Sequence, residues 1–318
     1  MPIKAHPARG YFYIAAATFS WALAATLGRA AFTGRWSLAG NALHAIDPLI
    51  LSQSRTTFSF LVLLPALVLF RGTRKLRLQR ADLFQLFLLG ILGVAASNYF
   101  YYLAIQKTNV ATAIILQYTA PVWVLLYMVA RRLQRATLSR IAAVALALLG
   151  IALVIGIFSS GLRLDRIGVS AALVASLSFS FYNVGGHRLL THHDRWTVLL
   201  YTTASAALFW IFVNSPSKIV SAHYSGGQWL FLLVFSLLSV LLPFSFYFAG
   251  LQHLEPTQAV IGSCLEAVFS ILVAAIALGE ILRPVQAIGI VFVLAAILVV
   301  QLPDRKASDT ATLIEPIE

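Results

Sequence analysis

The sequence predicts an all-α integral membrane protein of ten transmembrane helices, arranged as two inverted five-helix repeats. Of its 318 residues, 60% are apolar and 11% are charged, and the mean hydropathy is +0.86. A soluble domain has roughly 45–50% apolar and roughly 25% charged residues, so a soluble fold of this size could not hide this much apolar surface. Ten long apolar runs and a repeat in their spacing complete the prediction.

The apolar runs justify each predicted helix in turn. A helix that crosses the bilayer needs about 20 mostly apolar residues. The first run continues past Ala22-Leu23-Ala24, a segment that resembles a signal-peptidase site, so we predict a retained helix there. The ten predicted spans are 11–32, 48–70, 83–105, 110–130, 139–158, 167–186, 196–213, 228–251, 257–278 and 283–301.

The positive charges predict the orientation of the chain rather than a nucleic-acid partner. The net charge is +12, but Lys and Arg lie in short segments between apolar runs, and no basic module is long enough to bind nucleic acid. They are about twice as numerous on the side of the N-terminus as on the other side. The positive-inside rule therefore predicts an inner-membrane protein with both termini, including the polar tail 303–318, in the cytoplasm.

The two halves of the chain can be aligned with a constant shift. Moving the first half by 146 positions places Tyr101 on Tyr247 and Gln106 on Gln252, while the first span aligns with a shift of 158. Each half, 1–160 and 161–302, holds five spans, and an odd number inverts the second half in the membrane. Inverted repeats are typical of transporters, because two related halves can exchange conformations around a central site.

Two groups of motifs carry a family resemblance. The first half contains Gln117-Tyr118-Thr119-Ala120-Pro121-Val122, and the second contains Leu265-Glu266-Ala267-Val268-Phe269 and Leu278-Gly279-Glu280. This pattern resembles the EamA family of the drug/metabolite transporter superfamily over about residues 10–302. The resemblance implies ten helices, export of metabolites or amino acids, and no bound cofactor. It also implies a cavity lined by helices one, three, four, six, eight and nine.

The chain departs from the family pattern at two places. Ala267 stands where the family has proline, which predicts that the ninth helix lacks a proline bend, whereas Pro121 and Pro243 are predicted to bend the fourth and eighth helices. In the first half, Arg132-Leu133-Gln134 replaces leucine-glycine-glutamate and leaves only Glu280 in the second. The two halves are therefore not interchangeable.

Two ionisable side chains are predicted deep in spans, where a charge costs about 2.5–3.5 kcal/mol on insertion scales. Glu266 falls near the centre of the ninth span. It could exchange protons, bind an amine or make a structural hydrogen bond. Arg55 lies seven residues inside the second span. It could bind a substrate carboxylate, extend outward to the interface or pair with Asp47.

Polar and aromatic residues inside the other spans are further candidates for substrate binding. Each of them could instead serve helix packing. They are Trp21, Asn98, Tyr99, Tyr102, Gln117, Tyr118, Ser178, Tyr182, Asn183 and Ser263.

No metal or cofactor site is predicted. The single cysteine, Cys264, excludes an internal disulfide and a multi-thiolate metal site. The cluster His187, His192, His193 and Asp194 is interpreted as a solvated connector.

The predicted function is secondary transport, with export of a small organic metabolite such as an amino acid and proton coupling through Glu266. A transporter of nucleotide sugars or phosphorylated solutes is the first alternative, although it needs several deep cations and Arg55 stands alone. An intramembrane enzyme is a further alternative, but no catalytic pair stands out. A channel is another, although channels usually lack such an inverted repeat. No phosphate-binding loop is present, so ATP-driven pumping is unsupported. Monomer and homodimer both remain open.

Overall fold

The computed structural model of the chain describes residues 6–33, 37–38, 41–42, 46, 48–72, 78–156, 164–278 and 282–302. The tail 303–318, Glu280 and the suggested Arg55 partner Asp47 lie outside these residues. Within the described ranges the fold is helical, apart from a short antiparallel strand pair, Ser37–Leu38 with Asn41–Ala42.

Nine helices in the described part of the chain are long and apolar enough to cross a membrane. They coincide in order and position with the first nine predicted spans, which confirms a multi-pass helical membrane protein. We number the long helices in chain order: Pro7–Thr33, Pro48–Arg71, Arg80–Lys107, Val110–Ala130, Leu138–Ile155, Arg166–Leu190, Arg195–Val213, Gly226–Leu251 and, as a ninth in two segments, Pro256–Gly262 with Leu265–Leu278.

A tenth helix, Pro284–Val299, is apolar but has only 16 residues. Ten crossings and the two-repeat arrangement therefore remain predictions. A short helix, Pro216–Ser221, precedes the eighth helix.

Polar residues between the apolar runs set the ends of helices. The Asn109 side chain accepts a hydrogen bond from the Thr112 backbone N–H at 2.8 Å and caps the fourth helix. Asp165 caps the sixth helix in the same way through Gly168, at 3.0 Å. Such caps satisfy backbone donors that the first turn leaves unpaired. The fifth helix ends at Gly156, whose φ of 73° is a left-handed conformation that glycine adopts without steric cost.

Two of the long helices contain a π-helical segment that the sequence analysis did not predict. The third helix is π-helical over Leu89–Ala95 and the eighth over Leu237–Leu241. The segments end at positions that differ by 146, the shift that aligns the two halves. Pro243 lies just after the second segment, inside the continuous helix Gly226–Leu251, so its missing N–H removes a regular helical donor from a preceding carbonyl. Single π-helical turns occur frequently at functional sites.

The fourth helix is interrupted in its middle. Its first segment ends at Gln117 and its second begins at Ala120, so Pro121 stands in the first turn after the break. Thr119 also donates its hydroxyl to the Leu116 carbonyl at 2.6 Å, and its backbone N–H bonds the same carbonyl at 3.2 Å in a tighter turn. An interruption of the fourth helix at Pro121 agrees with the predicted bend.

The ninth helix is also interrupted, at Ser263 and Cys264. The prediction that this helix loses its bend because Ala267 replaces proline was therefore wrong. The Ser263 hydroxyl donates to the Val260 carbonyl at 2.7 Å, and the Glu266 backbone N–H bonds the Ser263 carbonyl in a tighter, three-residue turn. A side-chain hydroxyl that competes for backbone acceptors disrupts the helix here without proline.

The fifth and tenth helices pack against each other at two glycines. A Cβ atom added at Gly150 would lie 2.9 Å from the Gly289 carbonyl oxygen, and one added at Gly289 would lie 2.7 Å from the Gly150 oxygen. Small residues allow helix backbones in a membrane to approach this closely and gain packing energy. This contact joins the two halves of the chain.

Candidate functional site

Glu266 and Tyr118 meet where the two interrupted helices face each other. Tyr118 follows the first segment of the fourth helix, and Glu266 stands in the first turn of the second segment of the ninth. The Tyr118 hydroxyl donates to Glu266 Oε2 at 3.0 Å. Both side chains are half-buried. The breaks in the fourth and ninth helices thus bring a phenol and a carboxyl group into contact.

Arg55 reaches from the second helix to the π-helical segment of the eighth. Its Nε donates to Ser239 Oγ at 3.0 Å and its Nη2 donates to the Ser239 carbonyl at 3.1 Å. Its Nη1 points at the Tyr102 hydroxyl, at a longer 3.4 Å. The guanidinium carbon also lies 5.8 Å from the centre of the Phe235 ring, within cation–π range. A π-helical turn changes the backbone pairing locally, and Arg55 supplies a donor for the carbonyl there.

Tyr101 stands beside Tyr102, the tyrosine that Arg55 contacts, and their ring centres lie 5.8 Å apart. Although all their atoms are described, Arg55 and Glu266 do not form an ion pair within 4 Å. Arg55 and Glu266 are instead held by different partners, Ser239 and Tyr118.

We call Arg55, Tyr101, Tyr102, Tyr118 and Glu266 the charged site. Its members come from the second, third, fourth and ninth helices, and the eighth helix supports it through Ser239. The sequence analysis proposed four of them and omitted Tyr101. Tyr101 and Tyr102 lie three and four residues after Asn98 and so share a helix face with it, a spacing that could have identified Tyr101. The support from Ser239 could not be inferred, because it depends on the π-helical turn.

Three other proposed residues on the third and fourth helices make contacts elsewhere. Asn98 donates its amide to the Val94 carbonyl of its own helix at 2.8 Å, at the π-helical segment. The Tyr99 ring packs against Trp210 of the seventh helix, with ring centres 6.3 Å apart. Gln117 ends the first segment of the fourth helix and is half-buried.

Trp21 and Tyr182 lie in a buried aromatic cluster. Trp21 is 9% exposed and its ring packs 5.3 Å from Tyr247 and 5.2 Å from Phe244. Tyr182 is 1% exposed and stacks on Phe248 at 5.3 Å. These contacts place both residues in the packed core that joins the first, sixth and eighth helices.

Asn183 borders the same cluster through a polar contact, because the Tyr247 hydroxyl donates a hydrogen bond to Asn183 Oδ1. Ser263 stands at the break of the ninth helix, where its hydroxyl bonds the Val260 carbonyl and the Glu266 N–H bonds the Ser263 carbonyl. Asn183 is 0% and Ser263 2% exposed. Ser178, one turn before Tyr182, is half-buried.

The predicted cytoplasmic side contains two ionic contacts between the halves of the chain. Arg71 pairs with Asp194 at 2.6 Å, and Asp82 faces His193 at 3.5 Å. Burial opposes ionisation of Asp194, but hydrogen bonds from Thr197 and Arg71 outweigh it and hold the pKa of Asp194 below its usual value. The segment interpreted as a solvated connector therefore also joins the second and third helices to the seventh.

A third contact on that side involves the motif position that departs from the family. Gln134, which replaces the family's glutamate, donates to Glu255 Oε2 at 2.6 Å and accepts from the Thr257 hydroxyl at 2.7 Å. Arg140 pairs with the same Glu255 oxygen at 3.3 Å. Gln134 is 8% exposed, so the amide replaces a carboxylate where a neighbouring glutamate already supplies the negative charge.

The described residues do not include a group of three or more His, Cys, Asp or Glu side chains that could hold a metal ion. His187 is occupied by the Leu251 carbonyl, 2.9 Å from its Nδ1. The charged site itself combines one cation, one carboxyl group and three phenols. Such a set can bind and orient an organic solute by charge and hydrogen bonds.

Relatives with curated descriptions are transporters. The threonine/homoserine exporter RhtA of Escherichia coli strain K12 is 25% identical over 245 residues, which is 76% of this chain and 79% of that protein. An uncharacterized transporter of Archaeoglobus fulgidus is 27% identical over 215 residues, 66% of this chain and 75% of that protein. The uncharacterized inner membrane transporter YicL of Salmonella typhimurium is 22% identical over 235 residues, 73% of this chain and 77% of that protein.

A protein of known crystal structure shares the fold. It superposes with a TM-score of 0.75 at 19% sequence identity and covers 95% of this chain and 99% of that one. The family model described as the EamA-like transporter family matches this sequence twice, at residues 8–156 and 166–302. The chain is therefore a multi-pass membrane transporter that belongs to the EamA-like transporter family.

Proposed function

We propose that this transporter is a secondary exporter of amino acids or related small amphipathic compounds across the inner membrane, driven by proton entry. The observation that carries the proposal is that Arg55 and Glu266, from opposite halves, each contact a tyrosine of the neighbouring third and fourth helices, Tyr102 and Tyr118. A small solute that bears both charges complements these two side chains. The printed function of RhtA, export of threonine and homoserine, supports the same class of substrate.

We further propose two inverted five-helix repeats, 1–160 and 161–302, with both termini in the cytoplasm. The π-helical segments and the helix breaks recur near the same shift, and the family model matches each half once. The tenth helix, at about 1.5 Å per residue, is about 24 Å long. A modest local thinning of a hydrocarbon core of about 30 Å accommodates a helix of that length.

Glu266 is the proposed proton carrier. It is half-buried in a long apolar helix, and its hydrogen bond to Tyr118 spans the breaks in the fourth and ninth helices. A carboxyl group at such a place can hold a proton while the site faces one side of the membrane and release it on the other. Helix breaks provide the points at which the two access states can differ.

The described part of the chain favours this substrate class over phosphorylated solutes. Among its Lys and Arg residues, Arg55 is the one that lies well inside a long helix, and the others stand at helix ends or in loops. A nucleotide sugar or phosphate ester carries two or more negative charges and calls for several cations. One cation opposite one carboxyl group matches a zwitterion or an amine better.

The test is export from liposomes that contain the full-length protein. Vesicles are loaded with L-threonine or L-homoserine, and efflux is measured with and without an imposed proton gradient. Glu266→Gln should reduce gradient-driven efflux about tenfold or more, equivalent to about 1.4 kcal/mol. Asp82→Asn removes a carboxylate outside the charged site and should leave gradient-driven efflux unchanged. Unaltered gradient dependence in Glu266→Gln would exclude Glu266 as the proton carrier.

A further inference from the structure

Only some of the N–H groups of the Arg55 guanidinium donate hydrogen bonds to described residues. Of its five N–H groups, the Nε donor and one on Nη2 are used by Ser239, and one on Nη1 has only the long 3.4 Å contact with Tyr102. Among the described contacts, the remaining N–H groups of Nη1 and Nη2 have no protein acceptor. These two nitrogens form the fork that binds a carboxylate through two parallel hydrogen bonds.

Glu266 is likewise held on one oxygen. Oε2 accepts from Tyr118, while a carboxylate offers about four lone-pair positions over its two oxygens. The side chain is half-buried, so part of it is accessible. An ammonium group carries three donors and can bind the free oxygen.

Arg55 and Glu266 are bonded to other groups rather than to each other. In an interior of low dielectric constant, a cation and a carboxylate attract strongly when they are close. Here Ser239 holds the cation and Tyr118 holds the carboxyl group, and no ion pair within 4 Å joins them although both are described. Tyr102 contacts Arg55, and its ring centre lies 5.8 Å from that of Tyr101. We call the region between Arg55 and Glu266 the gap.

We propose that this gap selects zwitterions: Arg55 binds the carboxylate of an α-amino acid, and Glu266 binds its ammonium group. The inference rests on the proposed function and makes it more specific. It assigns a substrate charge to each half of the transporter. The tyrosines contact the short carbon skeleton and side chain through their rings and leave room for different small side chains.

The test uses three compounds that differ by one charged group. L-Threonine carries both charges, 1-amino-2-propanol lacks the carboxylate, and 3-hydroxybutyrate lacks the ammonium group. Each competes with radiolabelled L-threonine in equilibrium exchange across proteoliposomes at fixed pH, with no proton gradient, so that proton coupling does not enter the readout. The wild-type protein should prefer L-threonine to either analogue by about tenfold or more.

The two variants should alter selectivity in opposite directions. Arg55→Gln should lower the apparent affinity for L-threonine and 3-hydroxybutyrate about tenfold and leave that for 1-amino-2-propanol unchanged. Glu266→Gln should lower the apparent affinity for L-threonine and 1-amino-2-propanol and leave that for 3-hydroxybutyrate unchanged. Arg131→Gln, which removes an exposed loop arginine, is the matched control. Arg55→Lys keeps the charge without the fork, and an intermediate loss for the carboxylates is expected even if Arg55→Gln does not fold.

Three results would separate the possible failures. If Arg55 variants weaken all three compounds equally, Arg55 acts only through its contact with the eighth helix and the inference is wrong. Unchanged selectivity in both site variants, with exchange intact, also overturns it but leaves amino-acid export standing. Absence of exchange for L-threonine, L-homoserine and the other common amino acids in the wild-type protein overturns the proposed substrate class itself.

Discussion

The π-helical segments of the third and eighth helices occupy equivalent positions, yet neighbouring helices pack against them in different ways. In the first half, Gly90 lies so close to the seventh helix that an added Cβ atom would be 1.9 Å from Ser205 Oγ and 2.5 Å from the Thr202 carbonyl oxygen. In the second half, Ser236 occupies the position of Gly90. There the Ser59 hydroxyl of the second helix donates across to the Ser236 carbonyl at 3.1 Å.

The same difference extends to the charged residue. By the shift of 146, Arg55 corresponds to Tyr201, and Ser239 corresponds to Gly93. The first half therefore stabilises its π-helical segment by close backbone packing, and the second does so with hydroxyl and guanidinium donors. A π-helical segment can thus pack closely against a neighbouring helix in one half and support a candidate binding residue in the other. We call the contact of Gly90 with Ser205 and Thr202 the tight joint.

The largest effect is expected when the tight joint is opened. Gly90→Ala forces the third and seventh helices apart, because the new Cβ meets a backbone carbonyl that cannot rotate away. Overpacking of this kind costs about 1–3 kcal/mol and occasionally more. Gly226→Ala is the control, since nothing lies within 4 Å of its added Cβ. The free energy of unfolding, measured in a denaturing-detergent titration, should be lower for Gly90→Ala than for Gly226→Ala. Equal free energies for the two variants would contradict the close contact.

A smaller effect is expected from Ser239→Ala. This change removes the acceptor of Arg55 Nε but keeps the carbonyl acceptor of Nη2. A hydrogen bond to a charged group contributes about 1.5–3 kcal/mol, and the remaining contacts should limit the loss to about 1 kcal/mol. Ser245→Ala on the same helix is the matched control, because Ser245 bonds only the Leu242 carbonyl of its own helix. Losses of equal size would show that Arg55 does not depend on Ser239.

Ser59→Ala tests the hydrogen bond from the Ser59 hydroxyl to the Ser236 carbonyl of the eighth helix. Loss of that hydroxyl removes one hydrogen bond between the second and eighth helices, and such bonds in membrane proteins average about 0.6 kcal/mol. Ser205→Ala, at the equivalent position in the seventh helix, should cost less, since that hydroxyl bonds carbonyls of its own helix. If the Ser205 variant loses more stability than the Ser59 variant, the assignment of the two joints is reversed.

The smallest effect concerns pH. Because folding lowers the pKa of Asp194, its pair with Arg71 stabilises the folded state above the usual aspartate pKa and loses that effect as pH falls through the lowered value. The partners are 45% and 36% exposed, so the contribution should be under about 1 kcal/mol. Asp194→Asn should lower stability by a constant amount between about pH 5 and 8 and converge with the wild type under more acidic conditions. A difference that grows on acidification would contradict the sign.

Sequence reasoning identified most of the charged site but not its organisation. Arg55, Tyr102, Tyr118 and Glu266 were found because ionisable and polar side chains are costly inside apolar runs and therefore need partners. Tyr101 was missed, whereas Trp21 and Tyr182 are core residues. The sequence around an aromatic residue in a helix does not show whether its side chain packs against other helices or lines a cavity. The partners that distinguish these cases come from helices distant in the chain.

The sequence by itself determined the membrane helices, because the thickness of the hydrocarbon core sets the length of apolar run that a crossing helix requires. It also determined the family, through motifs near both helix breaks. The small number of ionisable residues inside the apolar runs is likewise a property of the sequence. Only the tertiary structure decided where the π-helical segments and the break in the ninth helix fall, and which groups hold Arg55 and Glu266. Those features depend on donors and close contacts supplied by neighbouring helices, so no local pattern of residues encodes them.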